Sequence, residues 1–167
     1  VGSEMCIRDR HYETREVIPD ELITKIQNQG TFNQGFMTTE LLAAALLDME
    51  LHNLTDTDNL NVVAFEKETM DKLGLIPEIA SRYRATYFSH IIGGYAAGYY
   101  SYLWAEVLDT DAFEAFKEHG VFDKNTADSF RKNILEKGGT EDPMTLYRGF
   151  RGADPSLEPL LKNRGLK

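Results

Sequence analysis

No stretch of this chain alternates apolar and polar residues as a half-buried strand would; apolar residues recur at helical spacing between glycine and proline stops. The strongest run is Leu41, Leu42, Ala44, Ala45, Leu46, Met49 and Leu51. It covers more than one narrow stripe, which predicts a well-buried helix capped at Thr38 or Thr39 and ending near Leu54. Before it, Pro19 followed by Asp20 and Glu21 reads as a helix start, with Leu22, Ile23 and Ile26 as its apolar side and Gly30 as its stop. After it, helices are expected over Val62–Leu73, Tyr95–Leu108, Ala112–His119, Thr126–Glu136 and Pro143–Phe150. Asp109 or Asp111 is the expected cap between the second and third of these, and Pro155 and Pro159 should break up the tail. The segment from Arg82 to Phe88 reads either as extended chain or as an approach to the tyrosine-rich segment after it. The fold class is all-α with short loops.

At 167 residues and 19.0 kDa, with 42% hydrophobic residues, the chain is long enough to bury a core. A net charge of −9 and a pI near 4.9, with Lys and Arg scattered singly, argue against nucleic acid or an anionic membrane surface as partner. No apolar run approaches the length of a membrane span. The one cysteine, Cys6, excludes an intrachain disulfide and a thiolate metal cluster. The opening VGSEMCIRDR is charged and unpatterned and resembles translated adapter sequence, so residues 1–10 are expected to be non-native and the native segment to begin near His11.

The residues richest in chemistry run from His90 to Tyr102, HIIGGYAAGYYSY. A helix starting near Gly94 would place Tyr95, Tyr99 and Tyr102 on one face, with His90 ahead of it across the flexible Gly93-Gly94 step. From pattern alone, such a stripe divides evenly between core and site. Three phenols weaken the core reading, because each buried hydroxyl needs a partner where Phe would need none. The glycines either permit close helix packing or let a ligand backbone approach, and Gly93-Gly94 could hinge. Neutral phenols near a polarised carbonyl can stabilise a developing oxyanion.

Other chemistries find no footing. His11, His52, His90 and His119 are too far apart for an HExxH pair, and His52 and Glu50, two apart on one helix, point away from each other. No serine sits in a G-x-S-x-G turn, and the glycines lack a dinucleotide-binding context.

The segment Phe88–Val107, FSHIIGGYAAGYYSYLWAEV, resembles the signature downstream of the zinc site in the thimet oligopeptidase (M3) family of metallopeptidases. Further blocks match in order: HYET at His11–Thr14, IPDELITKI at Ile18–Ile26, FNQGF at Phe32–Phe36, LLDMELH at Leu46–His52, and YRGFRGADPSLEPLLKNRGL at Tyr147–Leu166. The likeness is nearest to the family's bacterial peptidyl-dipeptidase and oligopeptidase A branch. It implies the C-terminal helical portion of a two-lobed, channel-containing domain over residues 11–167. It also implies a Zn2+ held by the two histidines of HExxH and a further glutamate, with the HExxH glutamate as general base.

By motif, the resemblance makes His90 and Tyr95 contacts to the substrate backbone, with Gly93 and Gly94 in the mobile loop that carries Tyr95. Tyr102 becomes the principal oxyanion donor, assisted by Tyr95, and Tyr99 a secondary contact; Tyr100 should face elsewhere and pack. HExxH and the third ligand are expected before His11, so no metal ligand is assigned within this chain. Arg15 stands where the family usually has glycine after HYET. The expectation is a portion of a zinc peptidase acting on short peptides, most simply a cytoplasmic monomer releasing C-terminal dipeptides when whole, and inactive and zinc-free as this chain alone. The rival is a catalytically silent helical peptide-binding module.

Overall fold

Proline at the N-cap and two acids in the first turn start helix α1, Asp20–Gly30, where the helix dipole favours negative charge. In the computed structural model, which describes residues 9–167, the chain divides into a unit ending at Gln34 and a larger unit from Gly35 to Lys167. The expected non-native opening, Cys6 included, lies outside the described residues except at its last two positions. In the smaller unit, Arg10 and Val17 form an isolated antiparallel bridge ahead of α1. The apolar side of α1, Leu22, Ile23 and Ile26, is exposed.

Helix α2, Gln34–His52, starts earlier than the threonine cap expected at Thr38 or Thr39; Thr39 instead bonds back to the Gly35 carbonyl within the helix. One side of α2 buries Ala43, Ala44, Leu47 and Asp48, while Leu42 and Leu46 on the other side, and Met37 near the start of the helix, are exposed. The long apolar run is therefore buried on one face rather than all round. Helix α3, Val62–Lys72, is capped by Asn61, whose side chain accepts from the Val63 and Ala64 amides at 3.2 and 3.1 Å. It buries Glu66, whose carboxylate accepts from the Ala85 amide at 2.8 Å and pairs with Arg84. That carboxylate holds the segment before the tyrosines in turns, which settles residues 82–88 as an approach rather than an extended strand.

Helix α4 runs unbroken from Ser101 to His119, and Gly120 ends it at φ +112°. Two expectations fail here. The tyrosine helix begins at Ser101 rather than Tyr95, and there is no break at Asp109–Asp111. Asp111 does not cap; it is buried mid-helix, where the Tyr147 hydroxyl donates to it. Helix α5, Lys124–Phe130, is capped by Asp123 and continues directly into a π turn, Arg131–Leu135. Helix α6, Pro143–Arg151, has Asp142 as N-cap, proline in its first turn and Gly152 at its end in the left-handed region at φ +77°. Pro159 does not break the tail: it lies in the first turn of α7, Glu158–Asn163.

Arg164 fastens α7 to its neighbours by donating to both Glu106 carboxylate oxygens on α4 and, at 2.6 Å, to Thr38 Oγ1 on α2. Phe116, Phe130 and Phe150 pack edge to face or tilted between α4, α5 and α6. The core beneath the tyrosines is Ala44, Ala45, Phe88, Ile91 and Tyr99, with Leu41, Leu51 and Tyr83 packed against it. Among the described residues the fold is all-α without a sheet, and no helix is long and apolar enough to cross a membrane.

Candidate functional site

Between Phe88 and Ser101 the chain forms a short 3-10 helix, Ser89–Ile92, and then a series of turns. Local hydrogen bonds run from Tyr95 N to His90 O (3.2 Å), Ala96 N to Gly93 O (3.3 Å), Gly98 N to Tyr95 O (2.9 Å) and Ser101 N to Gly98 O (3.0 Å). Ala97 sits in the left-handed region at φ +51°. The three tyrosines therefore share no helix face, yet the turns still bring them together.

Tyr95 and Tyr102 stack at 5.1 Å between ring centroids and 28° between planes. Tyr99 lies 5.1 Å from Tyr102, and His90 is 6.2, 5.4 and 6.3 Å from Tyr95, Tyr99 and Tyr102. Tyr83, outside the expected set, closes the group at 4.9 Å from His90 and 5.9 Å from Tyr99. Exposure separates these rings: Tyr95 and Tyr102 are each 42% accessible, whereas Tyr99 is only 4% accessible and belongs to the core. Tyr100, expected to pack, is exposed, because the turn that ends at Ser101 points it away from the group.

Close packing and ligand approach, the two roles open to the glycines, can be compared with the space around them. A Cβ at Gly93 or Gly94 would meet nothing within 4 Å, so close helix packing does not account for either. Open space lies in front of that backbone.

Burial, then the neighbouring Tyr83, push the Tyr99 phenol above its ordinary value. Pairing with the Tyr95 phenol, then burial, push Tyr102 upward too. Both phenols are neutral donors at physiological pH. Among the described residues no hydrogen-bond partner reaches the enclosed Nδ1 of His90.

Asp48 is the residue that sequence reasoning missed. It is fully buried on α2, and its Oδ1 and Oδ2 accept from the Ala97 and Tyr99 amides at 3.0 and 2.9 Å. His52 Nδ1 lies 2.9 Å from the same Oδ1 and 2.8 Å from the Asp48 carbonyl oxygen. The partner of His52 is thus Asp48 one turn back, not Glu50. The i, i+4 spacing of Asp48 and His52 was visible; the amides lie 49 and 51 residues away and were not.

Zinc does not fit the residues present: among the described residues there is no group of three or more His, Cys, Asp or Glu able to hold a metal ion.

The sequence matches Peptidase family M3 over residues 5–166. It is 44% identical over 164 residues to the dipeptidyl carboxypeptidase of Escherichia coli (strain K12), covering 94% of this chain and 24% of that protein. It is 39% identical over 158 residues to oligopeptidase A of Haemophilus influenzae, covering 93% and 23% respectively. It is also 40% identical over 163 residues to the chloroplastic and mitochondrial oligopeptidase A of Arabidopsis thaliana, covering 94% and 21%. The chain spans about a quarter of the length of these curated relatives.

Proposed function

The chain belongs to Peptidase family M3, and from that premise we propose that it carries the substrate-binding and oxyanion-stabilising side of a peptide-hydrolysing site within a larger, two-lobed zinc peptidase. The observation that carries this reading is the stacked, half-exposed pair Tyr95 and Tyr102 beside His90, above a backbone left open at Gly93 and Gly94.

Attack on a peptide carbonyl moves negative charge onto its oxygen. Neutral hydroxyls held in place stabilise that oxygen more than they stabilise the ground-state carbonyl, which is what accelerates the reaction. Tyr102 is the principal donor on this reading and Tyr95 assists it. His90 and Tyr95 hold the substrate backbone on this reading, and Tyr99, expected as a secondary contact, is buried in the core and supports them from beneath. Gly93 and Gly94 let the peptide main chain approach. The zinc that the family resemblance implies would be held elsewhere in the whole protein, and the roles assigned to these residues do not route through it.

The relatives named dipeptidyl carboxypeptidase and oligopeptidase A support short peptides as the substrate class, with release of C-terminal dipeptides as the first choice. The test is to incubate the complete protein with short peptides bearing free or amidated C-termini and identify the products by mass spectrometry. Dipeptides from free C-termini alone support a peptidyl-dipeptidase. Internal cleavage of both forms reassigns the chain to an oligopeptidase. Peptide binding without cleavage supports the catalytically silent binding module instead. This chain alone is expected to cleave neither.

A further inference from the structure

We infer that Asp48 is a positioning residue, whose carboxylate fixes the turn between Tyr95 and Tyr102 and so sets where the two exposed phenols stand. The assignment deepens the reading of those phenols as substrate-facing donors and rests on it.

Apart from the Tyr99 ring, which packs into the core, the segment from Gly93 to Tyr100 is tied to a different helix by hydrogen bonds only through Asp48. Its other hydrogen bonds join residues no more than five apart, and a Cβ at Gly93 or Gly94 would touch nothing. Asp48 reaches it from a different helix. One carboxylate oxygen takes the Ala97 amide and the other takes the Tyr99 amide, so two N–H groups that flank Gly98 converge on a single anion. Tyr95 lies two residues before the first of these amides, and Tyr102 three residues after the second.

The carboxylate is itself oriented. Both atoms near His52 Nδ1, Asp48 Oδ1 and the Asp48 carbonyl oxygen, are acceptors, so Nδ1 carries the hydrogen and donates. Helix α2 thereby presets the carboxylate from one turn further along. A buried carboxylate without these donors would be strongly unfavourable, and an apolar residue in its place would leave two amides unpaired. Neither requirement belongs to the packing of α2, whose buried alanines and Leu47 need no anion among them. The anion answers to the turn.

The experiment uses the full chain labelled with [13Cζ]tyrosine, with NMR titration of each phenol and ring-to-ring NOEs between Tyr95 and Tyr102, for wild type and Asp48→Asn. The amide side chain presents an N–H to one of the two backbone amides where an oxygen stood, so one bond is lost. The expected result is loss of the Tyr95–Tyr102 NOEs and a fall of the Tyr102 ionisation toward the ordinary phenol value of about 10. Tyr147, bonded to Asp111 on the far part of α4, serves as the folding control and keeps its elevated titration. A folded Asp48→Asn protein with the NOEs and the Tyr102 titration unchanged overturns the assignment.

Should Asp48→Asn fail to fold, hydrogen exchange of the wild type decides. Ala97 and Tyr99 amides exchanging on the order of 10²-fold or more slower than Gly94 support the assignment, and exchange as fast as Gly94 overturns it. No peptide enters any of these measurements. Failure to bind or cleave peptides overturns the proposed function, while unchanged phenols in Asp48→Asn overturn only the role of Asp48.

Discussion

Tyr147 on α6 donates its phenolic hydrogen to the buried Asp111 carboxylate on α4 at 2.5 Å, joining two helices through one hydrogen bond. Arg151 Nε stands 3.6 Å from the same carboxylate and pairs more closely with Glu118. Removing the phenol in Tyr147→Phe leaves the carboxylate without its closest donor. The expected loss is about 1–3 kcal/mol of unfolding free energy, read from urea titrations. A change below about 0.5 kcal/mol would mean that Arg151 moves in and replaces it.

The same pair contributes to the alkaline limb of stability. Burial, then the Asp111 carboxylate, hold the Tyr147 phenol well above its ordinary value. The folded state keeps a proton that the unfolded chain releases near pH 10, so this contribution is complete below about pH 10 and is lost as pH rises toward the folded value. Wild-type stability should fall above pH 10 more steeply than that of Tyr147→Phe, as measured by chemical denaturation across about pH 9–11.5 in the range set by that reference value.

Helix caps contribute to the acid limb with the opposite sign. The Thr126 amide holds the Asp123 carboxyl below its ordinary value, and the Thr145 amide does the same for Asp142. Depressed carboxyls contribute stability above their unfolded value, about pH 3.9, and lose it as pH falls through the lower folded value. The double variant Asp123→Ala/Asp142→Ala should melt lower at neutral pH and show a flatter decline between about pH 4 and pH 2. An acid limb as steep as in wild type would assign it to other carboxylates.

Arg164 donates to Glu106 and Thr38 from a site where its side chain is only 11% accessible. Lysine offers one charged group in place of a planar fork and cannot reach both partners at once. Arg164→Lys should cost about 1–3 kcal/mol and raise amide exchange within Glu158–Asn163 ahead of the rest of the chain. Uniform exchange with unchanged stability would make the clamp incidental.

On the proposed reading, in which the Tyr102 hydroxyl is used where charge develops, Tyr102→Phe in the complete protein should lower kcat roughly 10²-fold while changing KM little. The 42% accessibility of Tyr102 argues that the fold tolerates the loss. An unchanged kcat would reassign Tyr102 to packing.

Legibility in the sequence followed the range of the forces involved. Gly30 and Pro143 mark ends of α1 and α6 because glycine stops and first-turn prolines act within a few residues. The unbroken α4 was illegible at Asp109-Thr110-Asp111, since an aspartate beside a helix reads as a cap unless its donor is known. That donor, Tyr147, lies 36 residues on. The grouping of Tyr95, Tyr99 and Tyr102 was legible, but the helix invoked to explain it was not what forms. Two of the amides that would have begun that helix go to Asp48 instead, and the chain turns. The π turn after α5 carries no local signature, and nothing in its residues foretold it.

Ala97 draws a consequence from its φ of +51°. Alanine occupies this region at a cost of about 1–2 kcal/mol that glycine would not bear, so Ala97→Gly is an easy route to a less strained native turn. Glycine would also enlarge the set of conformations open to the turn whenever it is not bonded to α2. With alanine, the ordering of the turn is charged once, to folding, rather than at each encounter with a ligand. A chain that keeps alanine here is less stable than it could be and better prepared before anything arrives.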